Sequence, residues 1–389
     1  MNRREVLKAS IGTAALAGLA PSLLVSPARA ATGILKVGVL IPISGPAGLF
    51  GPSCRNCTRL AVEEINAGGG ILGRTVEPVF ADVGGPPVDA TKAALKLWKG
   101  EGVEAFIGMH DSAVRGALTN LFKGQVPYVY TPVYEGGECS PGTYVLGETP
   151  TQQLEPVVPW MASNRGARRW YLIGNDYNWP RDTNAAAKGY ITASGGSVVG
   201  EEYLPFTADN FDSNLAKIRE TDADSVLITL VGGASVGFNR AFASFGLHSR
   251  ALRLGTLIEE NTLAGIGAES SANLFSSAGY FASIDTPAAN AFAKSYATVF
   301  GADAAALNTL GESCYEGLKL LDALAERAGS LSPASMDAAA DGTSYDGPRG
   351  QATMQDRHVS QDIYLAEADG AEFRVIETFP NVGAGNNCG

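Results

Sequence analysis

Residues 35–70 read LKVGVLIPISGPAGLFGPSCRNCTRLAVEEINAGGG. The first seven form a short apolar run with one lysine, as expected of a strand covered on both faces of a parallel sheet. Residues 52–67 then change period. Leu60, the pair Glu63-Glu64 and Ile65 give a helix with two faces, and Gly68-Gly69-Gly70 stops it. The same alternation continues. Residues 75–82 read as a strand, 88–100 as a helix, 104–108 as a strand, 115–123 as a helix and 126–129 as a strand. Repeated βαβ units predict a parallel sheet with helices on both faces.

The series then restarts. Residues 152–163 and 184–193 are helical in pattern, and 170–173, 197–204, 225–231 and 252–257 are strand-like. Two similar series in one chain predict two lobes of one architecture. Asp285 or Thr286 supplies an N-cap, with Pro287 in the first turn. Leu310, Cys314, Leu318, Leu321 and Leu324 make one buried helical stripe. Residues 350–354, 361–366 and 373–378 are β-like.

Outside this core, residues 1–30 carry a charged start with Arg3-Arg4, a weakly apolar middle and a small-x-small end at Ala28-Arg29-Ala30. That is an export signal of twin-arginine character, with cleavage expected after Ala30. Its removal takes the net charge from −11 to −14, because Arg3, Arg4, Lys8 and Arg29 leave together with Glu5. Such an acidic chain is poorly suited to nucleic acid or anionic membranes. The five cysteines, Cys54, Cys57, Cys139, Cys314 and Cys388, leave at least one thiol unpaired within the chain. Cys54-x-x-Cys57 has the spacing of a redox or metal pair, but none of the three histidines lies near it, so structural cysteines are the preferred reading. Spacing does not give the pairing.

Gly68-x-Gly70-x-x-Gly73 fits a dinucleotide fingerprint, yet it follows a helix and precedes a strand, the reverse of what pyrophosphate binding needs. Gly233-Ala234-Ser235-Val236-Gly237 fits a nucleophile elbow in the right context, and His358 is a candidate base, so a Ser235 hydrolase stays open as a remote alternative. No other reaction signature is present, which points to binding and to no catalytic residues, cofactor or metal. The loops that follow strands carry the useful side chains. These are His110-Asp111-Ser112, the stretch YTPVYEGGECSP from Tyr130 to Pro141, the segment NDYNWPR from Asn175 to Arg181, Gly232-Gly233 and Glu259-Glu260. In open α/β sheets, ligands bind beyond the carboxyl ends of strands, and aromatic walls with a few polar groups suit a small solute.

At these residues the chain resembles the type I periplasmic binding proteins, the solute receptors of ABC importers. The opening LKVGVLIPISGPAGLFG and LAVEEINAGGGILGR resemble the wider family, which includes branched-chain amino acid binders. YEGGECSP, NDYNWPR and ASIDTPA are similar to the urea and short-chain amide binders, including the amide sensor of amidase operons. The resemblance spans residues 35–375. It implies an α/β fold of two Rossmann-like lobes with parallel-core sheets and a three-strand hinge near 144–151, 278–285 and 345–350. Lobe one would comprise 31–147 with 283–347, and lobe two 148–282 with 348–389. It further implies capture of a small polar solute in the periplasm and delivery to a permease with an ATPase. Ser112 would bond the solute's polar end, Tyr130 would wall the pocket from lobe one, and Tyr177 and Trp179 from lobe two. Trp179, Pro132 and His110 depart from the amide sensor's tyrosine, threonine and aromatic residue. Tyr134 and Gly232 are lesser candidates, with Tyr134, Glu135 and Cys139 chiefly shaping their loop. Glu259 sits where similar amino acid binders place an ammonium-binding acid, which keeps an amino acid receptor as the alternative.

Overall fold

In the computed structural model, which describes residues 33–385 and 388, the opening unit folds as its pattern predicts. β1 (Ile34–Ile41) is buried over most of its length, and α1 (Gly51–Ala67) lays Leu60, Ala61 and Ile65 into the core. β2 (Thr75–Asp82), α2 (Pro87–Leu95), β3 (Ala105–Gly108), α3 (Ser112–Phe122), β4 (Tyr128–Tyr130) and β5 (Thr143–Val145) follow. These strands form one side of the sheet in the order β2-β1-β3-β4-β5, all parallel. The order inverts at β1, and the loops after β1 and β3 open at that switch point.

The second series supplies α4 (Pro150–Leu154), α5 (Val157–Asn164), β6 (Arg169–Asn175), α6 (Asn178–Ala193), β7 (Ser197–Leu204), α7 (Asp212–Glu220), β8 (Ser225–Thr229), α8 (Gly232–Ser244), β9 (Leu252–Gly255), α9 (Glu260–Ile266) and β10 (Leu274–Ala278). Its order is β10-β9-β8-β6-β7, again parallel. The chain then returns to the first side through α10 (Pro287–Phe300) and α11 (Thr309–Ala328), both packed on α1, and α12 (Pro333–Ala339), packed on α11. The α11 stripe is buried as its spacing predicts.

β11 (Ser344–Gly347), β12 (Gly350–Gln355), β13 (His358–Asp369) and β14 (Glu372–Val382) close the chain. Here the structure differs from the expected boundaries. β11 pairs with β12, and β12 with the start of β13, whose His358 pairs with Val145 of β5. From Phe275 to Ala278 the partner of β10 is the later part of β13. The β11–β12 hairpin therefore stays with the first side, and the third crossover runs along β13 instead of over 345–350. The turn at Asp356 and Arg357, both at positive φ, makes this hairpin, and a strand pattern alone names no partner.

The join is ionic. Arg349, fully buried, is paired with Glu312, with Glu316 at 3.1 Å and with Glu148 at 3.5 Å, and it donates to Gln361. Glu148 Oε1 also accepts the Gly279 amide at 2.6 Å, and Gln361 donates to the Leu146 carbonyl at 3.0 Å. All three connections between the two sides thus meet at one guanidinium. A side chain at Gly279 would put its Cβ 2.6 Å from both Arg349 Nη1 and Glu148 Oε1, so glycine is needed there. Burial pushes the Glu312 carboxyl well up, opposed by Arg349.

The signal-like residues 1–30 lie outside the described residues. No helix among the described residues is long and apolar enough to cross a membrane. Cys139 and Cys388 form a disulfide that ties the loop after β4 to the end of the chain, while Cys54, Cys57 and Cys314 are buried free thiols. Cys54 and Cys57 lie on one face of α1 near α11, as structural residues would.

Candidate functional site: a cavity between the two sides of the sheet

Each wall is built at a strand end. On the first side β3 ends at Gly108, and Asp111 caps α3 by accepting the Val114 amide at 2.8 Å. That places Ser112 in the first helical turn, not at the cap. His110 is buried: its Nε2 meets Tyr128 Oη at 2.8 Å and its Nδ1 the Asp111 carbonyl at 3.1 Å. Burial takes its pKa down to about 3, so the ring is neutral at any ordinary pH. Tyr130, ending β4, donates to the His110 carbonyl at 2.8 Å. Behind it Arg115 lies 5.1 Å over the Tyr130 ring and 4.7 Å over the Tyr134 ring. Arg115 is itself paired with Glu135 at 2.7 Å and Glu138 at 3.1 Å.

On the second side β6 ends at Asn175, whose Oδ1 accepts the Val231 amide at 2.7 Å and so fixes the start of α8. Tyr177 is the N-cap residue of α6, which puts Trp179 and Pro180 in its first turn. The sequence reading left them in a loop. Proline is tolerated here because the first-turn amides have no helical partner anyway. Tyr177 lies 4.9 Å from Phe206 and 6.2 Å from Trp179, centroid to centroid.

The walls enclose a cavity of about 520 Å³. His110, Ser112, Tyr130, Pro132, Tyr177 and Trp179 all line it. So do residues the sequence reading passed over, among them Phe50, Met109, Asp111, Phe206, Leu257 and Leu310. Asp111 was legible only as a neighbour of Ser112, and Phe206 and Leu310 only as ordinary apolar residues. Among the lining residues Asp111 alone carries a formal charge. Burial raises its carboxyl above the usual range, against the Val114 and Ala113 amides and Arg115.

Three sequence candidates lie off this wall. Tyr134 bonds His358 Nε2 and the Glu138 amide, holding its loop. Gly232, at φ 55°, sits where the two sides touch, and a Cβ there would come within 2.2 Å of the Pro46 carbonyl. Glu259 caps α9, taking the Asn261 amide at 2.8 Å and the Thr262 amide at 2.7 Å, and is buried. A capping carboxylate satisfied this way is not presented to the cavity. Nor does a hydrolytic pair form. Ser235 is buried inside α8 with no partner for its hydroxyl among the described residues, and both His358 nitrogens are taken by Tyr134 and the Asp356 carbonyl. Among the described residues no cluster of His, Cys, Asp and Glu has the makings of a metal site.

The two sides are also bonded across the cleft rim, where Asn178 Nδ2 donates to Glu135 Oε1 at 2.7 Å. Glu135 Oε2 accepts from Ser112 Oγ at 2.5 Å. Glu135 therefore does more than shape its loop.

Two α/β halves around one enclosed cavity describe a solute receptor, and a family model for periplasmic binding proteins matches residues 34–372. The chain belongs to this family. The binding protein is 28% identical over 365 residues to Leu/Ile/Val-binding protein homolog 6 of Brucella melitensis biotype 1, covering 90% of this chain and 93% of that one. A solute binding protein of an ABC transporter from Rhodopseudomonas palustris HaA2, solved with p-hydroxybenzoic acid, superposes with a TM-score of 0.83 at 27% identity, over 90% of this chain and 98% of that one. A leucine binding protein of Thermotoga maritima MSB8 shares the fold, with a TM-score of 0.80 at 18% identity over 89% of this chain and 99% of that one. The fold is thus that of type I periplasmic binding proteins, of Leu/Ile/Val-binding character. Membership implies a periplasmic place, a small-molecule ligand, and permease and ATPase partners.

Proposed function

We propose that this binding protein captures a single-ring aromatic solute of the hydroxybenzoate kind for an ABC importer. The observation that carries this reading is the cavity: about 520 Å³, walled by Phe50, Tyr130, Tyr177, Trp179 and Phe206. A four-heavy-atom solute such as urea displaces on the order of two or three waters, roughly 60–90 Å³, and would leave most of that space unfilled. A ring fills more of it and stacks on the walls. The Rhodopseudomonas palustris relative solved with p-hydroxybenzoic acid supports the same reading.

An amide ligand is the second reading, and one observation favours it: no lysine or arginine lines the cavity, so a neutral polar end is well accommodated. The amino acid reading loses the acid on which it rested, since Glu259 serves as a helix cap. In the proposed cycle Ser112, Tyr130, Tyr177 and Trp179 contact the solute, His110 and Pro132 complete the wall, and the two lobes close about the connections joined at Arg349. The solute's contacts to both lobes favour the closed form. Arg3-Arg4 would direct export by the twin-arginine route.

A thermal-shift panel of 4-hydroxybenzoate, benzoate, benzamide, leucine, urea and acetamide tests this. Ligand that binds only the folded state raises the melting temperature with concentration. We expect the ring compounds to do so. Stabilisation by leucine alone, or by urea and acetamide alone, would overturn the aromatic reading.

A further inference from the structure

We infer that the cavity sorts solutes by polarity at two ends: Asp111 on one wall receives a hydrogen-bond donor, and Trp179 on the other supplies one. The inference rests on the aromatic reading and adds which ring substituents the site requires.

Asp111 is the one formally charged residue lining the cavity. Nothing on the wall neutralises it from the solute side. His110 is neutral and engaged with Tyr128, and Arg115 stands behind the wall between Glu135 and Glu138. An acceptor placed against Asp111 would meet a carboxylate with no cation to offset it, whereas a phenol, amide or ammonium hydrogen would be taken up. The Val114 amide already holds the carboxylate in place, so it presents a fixed acceptor.

Trp179 is the complement. It is 2% exposed, lines the cavity, and its Nε1–H has no partner among the described residues. An indole only donates, and a buried donor without an acceptor is costly. A solute acceptor, such as a carboxylate oxygen, removes that cost. The two groups stand on opposite sides of the cleft, so a ring bearing a hydroxyl at one end and a carboxylate at the other engages both, and only when the cleft is shut.

Calorimetric titration of 4-hydroxybenzoate, benzoate and phenol into the wild type, Asp111→Asn and Trp179→Phe tests both ends, with circular dichroism to show that each variant is folded. Asparagine still caps α3 but lacks the charge, and phenylalanine keeps the ring but lacks the N–H. We expect the wild type to prefer 4-hydroxybenzoate over benzoate by about tenfold or more, and Asp111→Asn to cut that preference to about threefold or less. Trp179→Phe should weaken 4-hydroxybenzoate by about tenfold and leave phenol nearly unchanged. Equal wild-type affinity for 4-hydroxybenzoate and benzoate would overturn the Asp111 role even if a variant failed to fold, as would a preference that survives Asp111→Asn. Undiminished 4-hydroxybenzoate binding by Trp179→Phe would overturn the Trp179 role. If no ring compound binds the wild type, the aromatic reading falls and this inference with it; if rings bind without these differences, only this inference falls.

Discussion

Arg115 and Arg349 are both buried against glutamates, one behind the cavity wall and one where the two sides of the sheet join. The partners of Arg349 are all in the shared interior, on segments that connect the sides. Those of Arg115 lie in the loop after β4, and one of them, Glu135, reaches over the cleft to Asn178. The first arrangement holds the connections together whatever the cleft does. The second contains a bond that exists only while the cleft is shut. Burying an ion pair is a poor source of stability in itself, because desolvation offsets attraction. What the pairs supply is placement, and the two placements make different predictions.

The largest effect belongs to Arg349. Replacing it by Met strands Glu148, Glu312 and Glu316 in the interior, and breaking a buried pair on one side costs about 3–5 kcal/mol. We expect a fall in melting temperature on the order of 10 °C, seen by calorimetry, with partial recovery when Glu312→Gln is added. A fall of only a degree or two would show that the join does not depend on this charge. Arg115→Ala comes next, at about 3 kcal/mol, slightly softened by its residual exposure. It also frees Glu135 and removes the support of Tyr130, so solute affinity should fall at temperatures where the protein is fully folded. If affinity is unchanged, the comparison fails, and Arg115 is a structural pair like Arg349.

A third effect sits beside the second connection. Glu260, next to Glu259 at the start of α9, accepts the Ala282 amide at 2.7 Å, and burial together with the Glu259 charge pushes its pKa up to about 8. The folded state thus holds this proton more tightly than the unfolded chain, whose carboxyl titrates near its ordinary value. Stability from this group is intact below about pH 4.5 and is lost as the pH rises through about 8. Allowing for its partial exposure, the loss is on the order of 2 kcal/mol. Glu260→Gln should flatten the stability profile over that window in chemical denaturation. Coincident profiles for the two proteins would show that the group is not buried in solution as it is here.

Much of the frame was legible because each element repeats one pattern. The strand β1, the helix α1 with its glycine stop, and the stripe on α11 all follow from period and punctuation. The cavity was partly legible, since aromatic residues at the ends of strands converge in any doubly wound sheet, and Tyr130, Tyr177 and Trp179 do. What was not legible depends on partners distant in the chain. Cys139 pairs with Cys388 across 249 residues. The β12–β13 hairpin joins β5 through His358. Glu259 has the composition of an ammonium site and the backbone position of a cap. Asp111 looked like an ordinary cap and proves also to face the cavity. An acid's chemistry can be read in a sequence, but the surface it is turned toward is set by packing.

The smallest effect bears most directly on the contrast between the two arginines. Asn178 is exposed, so its bond to Glu135 competes with water and is worth roughly 0.5–1 kcal/mol. Asn178→Ala should leave the melting temperature of the ligand-free protein unchanged within about a degree, because an exposed side chain at the second helical turn position contributes little else. Affinity should drop by roughly two- to fivefold, and the loss should appear as faster dissociation, since the bond forms after the solute is enclosed. Stopped-flow measurement with whichever ring compound binds the wild type separates the rates. A loss confined to association would place the bond in the open form as well, and Glu135 would then belong with the fixed network around Arg349 rather than with the moving wall.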